Sequence, residues 1–262
     1  MSDRAAQPKP AQSGALVSIV TPAYNATRFV TQTIESVLSQ TYADWELLIV
    51  DDCSTDDTAG VVGRYAARDF RVRLLRHERN GGPAQARETA LQASGGRYIA
   101  FLDSDDLWLP QKLEHQIAFM QRAQAALSFS QFRRIGAEGH TVGRLIDVPR
   151  RLTYRDLLKN TAIATSTVII DREQTGPFQM TRTYYDDYAL WLQILRRGFV
   201  AYGLREDLMR YRVVGKSVSR NKLRSAAMVW QLYRDVEKLG VLQSAWCFSH
   251  YAARAAFKYR SF

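Results

Sequence analysis

The sequence predicts an α/β fold, a mainly parallel sheet with helices on both faces and a helical C-terminal tail. Three observations carry this. First, short β-rich apolar runs alternate with stretches of helical periodicity over the first 125 residues or so, as crossover units on a parallel sheet do. Second, three of those runs end in turn-prone or acidic clusters: Pro22, Ala23, Tyr24 and Asn25; Asp51 and Asp52; Asp103, Ser104 and Asp105. Ligands of open α/β sheets sit beyond the carboxyl ends of the strands, so three distant segments converge on one edge. Third, residues 222–262 combine helical spacing with aromatic and basic residues. The expected architecture is therefore Rossmann-like with a helical extension.

Taken in order, "LVSIVT" (16–21) is the first strand and "PAYNAT" its turn. In "RFVTQTIESVLSQ", Val30, Ile34 and Leu38 recur at helical spacing, as do Phe29, Thr33 and Val37. "WELLIVDD" (45–52) is the second strand, ended by two aspartates. "STDDTAGVVGRYAARD" opens with capping residues and predicts a helix from near Thr55. "RVRLLR" (71–76) is the third strand. In "NGGPAQARETALQAS" a glycine turn leads to Pro83 at a first helical position. "GGRYIAFLD" (95–103) is the fourth strand, and "LPQKLEHQIAFMQRA" a further helix. Beyond residue 125 the alternation loosens: "ALSFSQF" (126–132) and "STVII" (166–170) read as strands, and "DYALWLQILRRG" as an amphipathic helix ending at Gly198.

The 262 residues suit one large domain. No apolar stretch approaches the roughly 20 residues of a membrane-spanning helix. The first 14 residues read as a flexible polar tail with no secretory-signal core. Cys53 and Cys247 form no metal-ligand spacing, consistent with a reducing, cytoplasmic setting. Residues 205–262 hold 12 Lys and Arg against 4 Asp and Glu, so they supply +8 of the net charge of +10. Such a basic end points to an anionic partner or to a solvated basic surface.

The run "FLDSDDLW" (101–108) packs Asp103, Asp105 and Asp106 into four positions after a buried strand. Crowded carboxylates raise one another's pKa. Hard oxygen ligands suit Mn²⁺ or Mg²⁺, which take their remaining ligands from water and a substrate diphosphate. The alternative is a capped strand end, with the aspartates on backbone amides.

Five pieces in a fixed order resemble glycosyltransferase family two, whose members have the GT-A fold. They are "VSIVTPAYN", "TIESVLSQTYADWELLIVDDCSTDDT", "NGGPAQARETAL", "GGRYIAFLDSDDLWLPQKLE" and "DDYALWLQILRRG". The resemblance runs over residues 16–215, and the tail is similar to that of bacterial teichuronic-acid and capsule-type transferases. It implies transfer of a sugar from a nucleotide diphosphate, here a UDP-sugar, to a hydroxyl of an envelope glycan or lipid-linked acceptor.

Residue by residue, the resemblance puts Pro22, Ala23 and Tyr24 against the nucleotide base, with the Tyr24 ring free to stack or to serve as an edge aromatic. Asp52 then reads the base's imide N–H while Asp51 orients the loop. Arg87 lies near the nucleotide and phosphates, although Glu88 stands where the family has Asn. Asp103 faces ribose and metal, Ser104 the donor, and Asp105 binds the metal directly; Asp106 caps the next helix. Asp187 is the implied general base, with Asp186 in support where Glu is common. Trp191 is either an acceptor platform or core. Thr165 and Ser166 either bind acceptor hydroxyls or close a strand end. Family members often carry a His after "YR"; here Arg212 or Lys216 would supply positive charge instead. The Gln-x-x-Arg-Trp signature of processive synthases is missing, which implies single addition.

The implied organisation is a nucleotide-sugar half (15–106), an acceptor half of the same domain (107–215) and a basic extension (216–262). The extension's second helix is expected either to pack or to lie on an anionic membrane, the latter making the enzyme peripheral on the inner face of the plasma membrane. A nicotinamide dehydrogenase is excluded because "TPAYNAT" has no Gly. A nucleic-acid partner is not expected, since it would leave the strand-end carboxylates unexplained. An inactive nucleotide-sugar binder and a sugar-phosphate nucleotidyltransferase are the alternatives, though the latter's Gly-rich basic loop is missing.

Overall fold

The computed structural model describes residues 14–139, 141–214 and 222–258. The expected N-terminal tail through residue 13, Lys216, residues 259–262 and the side chains of Leu223, Arg254 and Lys258 lie outside this description. The first half runs β1 (Val17–Ala23), α1 (Val30–Leu38), β2 (Trp45–Asp51), α2 (Thr58–Ala66), β3 (Val72–Arg76), α3 (Pro83–Ala93) and β4 (Tyr98–Phe101). Then follow β5 (Leu107–Trp108), α4 (Lys112–Ala123), β6 (Leu127–Ile135), β7 (Val142–Ile146), β8 (Arg151–Leu152), α5 (Tyr154–Leu157) and a 3₁₀ turn (Thr165–Thr167). After it come β9 (Ile169–Asp171), α6 (Arg172–Thr175), α7 (Asp186–Arg196), β10 (Ala201–Arg212), α8 (Lys222–Gln231), a π-helical turn (Leu232–Val236) and α9 (Val241–Lys258).

One sheet joins the strands in the order β3-β2-β1-β4-β9-β6-β10-β5, with β7 on β6 and β8 on β10. Strands β1 to β4 pair in parallel, as the alternating pattern predicts. Beyond them the sheet is mixed, because β9 runs antiparallel to both β4 and β6. Successive strand side chains point to opposite faces. Val20, Leu48, Val50 and Phe101 therefore pack on one face with α3 and α7, and Ile19, Leu47, Ile49 and Ala100 on the other with α1, α2 and α4.

Three local expectations shift. Helix α2 begins at Thr58 rather than near Thr55. Thr55 instead donates its amide and hydroxyl to Asn25 Oδ1 (2.8 and 3.2 Å), and Asp56 accepts from the Thr58 amide at 3.0 Å. Within "STVII" only Ile169 onward is strand. The twelve-residue β10 was not foreseen from the sequence: Arg205, Glu206 and Asp207 interrupt its apolar pattern, and the register with β6 shifts there. In the C-terminal region Val229, Leu232 and Tyr233 are buried, whereas Ala227 is exposed. The π-helical turn offsets the helical period and moves the buried stripe. Helix α9 packs through one side: Cys247 is buried and Phe248 packs edge-on against Trp230, while Val241, Leu242 and Trp246 face outward.

Candidate active site

The parallel register of β1 with β2 and β4 pairs Ala23 with Asp51 and Val20 with Phe101. The residues after each strand therefore meet at one edge. Tyr24, Asp52 and Asp103 come together there, and α7 brings Asp186 and Asp187 to the same place through Arg87.

The loop carrying the three carboxylates is clamped from three sides. Thr33 of α1 donates its hydroxyl to the carbonyls of Ser104 and Asp106 (2.9 and 3.0 Å). Ser166 Oγ accepts from the Asp103 amide at 3.0 Å and donates to Asp106 Oδ2 at 2.5 Å. The Arg212 amide donates to Asp106 Oδ1 at 2.9 Å. Asp106 is thus a buried anchor and not the cap of α4, whose N-cap is Gln111. Burial, then Asp105 and Asp103, push its pKa well up. Arg212 is 2% exposed. Its guanidinium donates to the carbonyls of Asp105 and Ala137 and to Gln32 Oε1, each at 2.7 Å. Those three bonds bury Arg212 and make it an anchor of the aspartate loop.

Asp105 differs from its neighbours. Apart from its own backbone amide, no donor among the described residues reaches its carboxylate. Burial, then Asp103, raise its pKa to about 6. Among the described residues no group of three or more His, Cys, Asp or Glu could hold a metal by itself. Asp103, one oxygen of which Arg87 holds, and Asp105 are the carboxylates that a divalent cation bound together with substrate phosphates could use.

Arg87 is 6% exposed. Its Nη2 lies 2.6 Å from Asp103 Oδ1 and its Nη1 2.6 Å from Asp186 Oδ2. Burial opposes its charge, and Asp103, Asp186 and Asp187 overcome that penalty and hold it ionised. Burial in turn raises the Asp186 pKa against the pull of Arg87. Asp186, expected near the acceptor, is thus a buried partner of Arg87. Asp187 is half-buried, accepts from the Thr165 hydroxyl at 2.5 Å and from the Tyr188 amide at 2.6 Å, and keeps lone pairs for a further donor. Trp191 is 1% exposed and packs edge-on to Phe101 with ring centroids 5.1 Å apart, so it is core and no acceptor platform. Ser166 is equally buried, with its hydroxyl spent on the aspartate loop, and cannot meet an acceptor.

At the nucleotide end Ala23 is buried, Pro22 half-buried and the Tyr24 ring 53% exposed. Asp51, the last residue of β2, and Asp52 just after it are both held by protein groups. Asp52 Oδ1 accepts from the Gly81 amide (2.9 Å) and contacts His77 Nδ1 (2.7 Å), and Oδ2 accepts from the Gly82 amide (2.7 Å). It binds the 77–82 loop to the sheet edge instead of presenting an open acceptor. Asp51 accepts from the Ser54 amide through Oδ1, but its buried Oδ2 has no hydrogen bond. Arg76 Nε lies 3.5 Å from that oxygen and pairs with its charge, and on the same face of the sheet Thr21 Oγ1 of β1 is buried without a hydrogen bond.

His77, Thr33 and Arg212 have structural roles here that sequence reasoning did not assign. Only the glycine pair after "HERN" hinted that backbone amides would gather around an acid. A surface concavity lies elsewhere, between Leu16, Gly95–Arg97 and Arg172. Those residues mark the amino ends of β1 and β4, the wrong edge for ligands in this sheet class.

The model of Glycosyl transferase family 2 matches residues 18–186. The protein TuaG of Bacillus subtilis, named for a glycosyltransferase of teichuronic acid biosynthesis, is 46% identical over 93% of this chain and 97% of its own. WfgD of Escherichia coli, a UDP-Glc:alpha-D-GlcNAc-diphosphoundecaprenol beta-1,3-glucosyltransferase, is 40% identical over 84% of this chain and 86% of its own. Among solved structures, the mannosyltransferase PcManGT of Pyrobaculum calidifontis with GDP-Man and Mn²⁺ superposes with a TM-score of 0.67 at 19% identity, over 98% of this chain and 79% of its own. TarS of S. aureus in complex with UDP-GlcNAc superposes with a TM-score of 0.66 at 18% identity, over 90% and 71%. The GT-A fold is thereby established.

Proposed function

This chain belongs to glycosyl transferase family 2, and on that premise we propose that it moves a sugar from a UDP-sugar to a hydroxyl of an envelope glycan or lipid-linked acceptor. The addition is single and inverts the anomeric centre. The observation that carries this is the arrangement around Arg87: Asp103 on one side and the Asp186–Asp187 helix start on the other, at the ligand-binding edge of the sheet. One end of the site faces a diphosphate and the other an acceptor. The curated relatives, named for teichuronic acid biosynthesis and for transfer from UDP-Glc to a diphosphoundecaprenol-linked sugar, support the envelope reading.

Asp105, with Asp103, would hold Mn²⁺ or Mg²⁺, which supplies charge neutralisation to the departing diphosphate. The exposed Tyr24 ring stacks on the base. Asp187 takes the proton of the acceptor hydroxyl. The bond from that oxygen to the anomeric carbon forms as the bond from the carbon to the diphosphate oxygen breaks on the opposite face. Arg87 and Asp186 keep the two ends in fixed relation. No helix among the described residues is long and apolar enough to cross a membrane, and contact with a lipid-linked acceptor is assigned to the outward face of α9.

A screen of UDP-glucose, UDP-N-acetylglucosamine and GDP-mannose with Mn²⁺ or Mg²⁺, read as released nucleoside diphosphate and as acceptor product, tests the reading. UDP release is expected, and Asp187→Asn should keep UDP affinity while losing transfer by ~10²–10⁴-fold. Preferential GDP release, or full transfer by Asp187→Asn, would overturn the donor or the base assignment respectively.

A further inference from the structure

Two consecutive residues of one 3₁₀ turn grip the two ends of the site. Thr165 donates its hydroxyl to Asp187 Oδ2, 22 residues further along the chain. Ser166 turns its hydroxyl to the opposite side, accepting from the Asp103 amide and donating to Asp106 Oδ2, 60 residues back. The turn itself is fixed. Trp108 Nε1 donates to the Ser166 carbonyl at 2.7 Å, Gln116 Nε2 donates to the Thr167 carbonyl at 2.9 Å, and the Phe101 amide donates to the Val168 carbonyl at 3.2 Å. The Thr167 hydroxyl closes the turn onto the Ala164 carbonyl at 2.6 Å. A single peptide unit therefore separates the hydroxyl that orients Asp187 from the hydroxyl that orients the aspartate loop.

We propose that the turn Thr165–Thr167 is a two-armed clamp that sets the distance between the metal-side carboxylates and the base, with Thr165 and Ser166 as positioning residues for opposite ends of the reaction. The assignment rests on the reading of Asp187 as base and of Asp105 as metal ligand. It separates from a packing role by the direction of each hydroxyl. Thr165 is half-buried and its hydroxyl meets a carboxylate at the site, where a packing threonine would bond a backbone carbonyl, as Thr167 does. Ser166 is 1% exposed, and both of its hydroxyl bonds go to the aspartate loop. The salt bridge through Arg87 joins the same two ends by a second route, so the clamp and the ion pair bracket the space in which the anomeric carbon must sit.

The experiment compares full-length Thr165→Val, Thr165→Ser, Ser166→Cys and Asp187→Asn. It reads steady-state kinetics with a UDP-sugar, UDP affinity by calorimetry with and without Mn²⁺, and folding by circular dichroism. Thr165→Val should lower kcat by ~10²-fold, the effect of misplacing a reacting group by about 1 Å. It should leave the donor KM and the UDP affinity in Mn²⁺ unchanged, and Thr165→Ser should restore kcat to within a few-fold. Ser166→Cys keeps the volume but weakens the hydroxyl bonds. It should lower UDP affinity in Mn²⁺ by roughly 10-fold, as loss of a ligand's support does, with metal-free UDP affinity unmoved. Wild-type kcat in Thr165→Val beside an inactive Asp187→Asn would overturn the clamp alone. So would a Thr165→Ser as impaired as Thr165→Val, or a Ser166→Cys with wild-type metal-dependent affinity. An active Asp187→Asn would instead overturn the base reading, and the Thr165 arm with it.

Discussion

Arg87 Nη1 lies 2.6 Å from Asp186 Oδ2, joining α3 to the start of α7 across 99 residues of chain. The pair is almost wholly out of water, with side-chain exposures of 7% and 6%. A buried ion pair is weak evidence for net stability, but breaking one by removing a partner leaves a charge stranded. Arg87→Met should therefore cost roughly 3–5 kcal/mol, read as a fall in urea midpoint. Arg87→Lys should fall between, because an ammonium cannot reproduce the fork that reaches Asp103 and Asp186 together. A loss in Arg87→Met smaller than about 1 kcal/mol, the scale of a surface pair, would mean that the bridge is not a structural joint.

Asp105→Asn separates a metal ligand from a strand cap. Its carboxylate takes no donor but its own amide among the described residues, so an amide in its place breaks no cap and should leave the melting temperature within a few degrees of wild type. UDP affinity in Mn²⁺ should fall toward the metal-free value, and transfer should cease. Calorimetric titrations with and without the ion decide it; an Asp105→Asn protein that keeps its metal-dependent gain in affinity would reassign the ligand.

The parallel half of the sheet was legible because each of its strands is a short, mostly apolar run that alternates with a helical stretch. Strand β10 was not, since its charged bulge mimics a loop. The candidate site was legible as a set of positions and less so as a set of roles. Adjacent residues of an extended chain point to opposite faces, so "DD" after β2 names two carboxylates without saying which one the 77–82 loop will satisfy. Asp52 is taken by Gly81, Gly82 and His77, and Asp51 by Ser54 and Arg76. Trp191 and Ser166 read equally well as ligand contacts or as interior because helical spacing places a side chain on a stripe, and only tertiary packing says what covers that stripe. Arg212 shows the same limit for charge: the sequence names a cation, and only the fold shows that it is buried and holds the carbonyls of Asp105 and Ala137.

Lys112 predicts a pH dependence of stability. Its ammonium nitrogen is buried against the Trp108 ring, 4.3 Å from the centroid, and donates to Gln116 Oε1 at 2.8 Å. Burial lowers its pKa to about 7. Between that value and the unfolded value of about 10.4, the unfolded chain binds a proton that the folded chain does not. Stability from this group therefore rises with pH through that window, and the penalty is complete below about pH 7. The slope is up to ~1.4 kcal/mol per pH unit, and Lys112→Met should remove it. Urea unfolding of both proteins at pH 7.5 and 9 measures it; parallel pH profiles would show that Lys112 stays charged in the folded state.

The outward face of α9 predicts membrane attachment. Leu242 is 87% exposed, Trp246 60% and Val241 58%, on a helix whose other side buries Cys247. Leu242 and Trp246 are four residues apart and so share a stripe. Lys238 is exposed just before the helix, and residues 241–262 contain Arg254, Lys258 and Arg260 with no Asp or Glu. An apolar ridge with an indole at headgroup depth, beside cations worth roughly 1 kcal/mol each near an anionic surface, gives reversible and salt-sensitive binding. That suits the lipid-linked acceptor proposed above. Co-sedimentation with phosphatidylglycerol-containing vesicles should rise with the anionic fraction and fall in high salt. The exposed-site double variant Leu242→Glu/Trp246→Glu should lose the binding while keeping donor turnover on a soluble acceptor. If the double variant sediments with vesicles as well as wild type, the ridge is not the contact; if it instead halves the particle mass in solution, the ridge is where two copies of the chain meet.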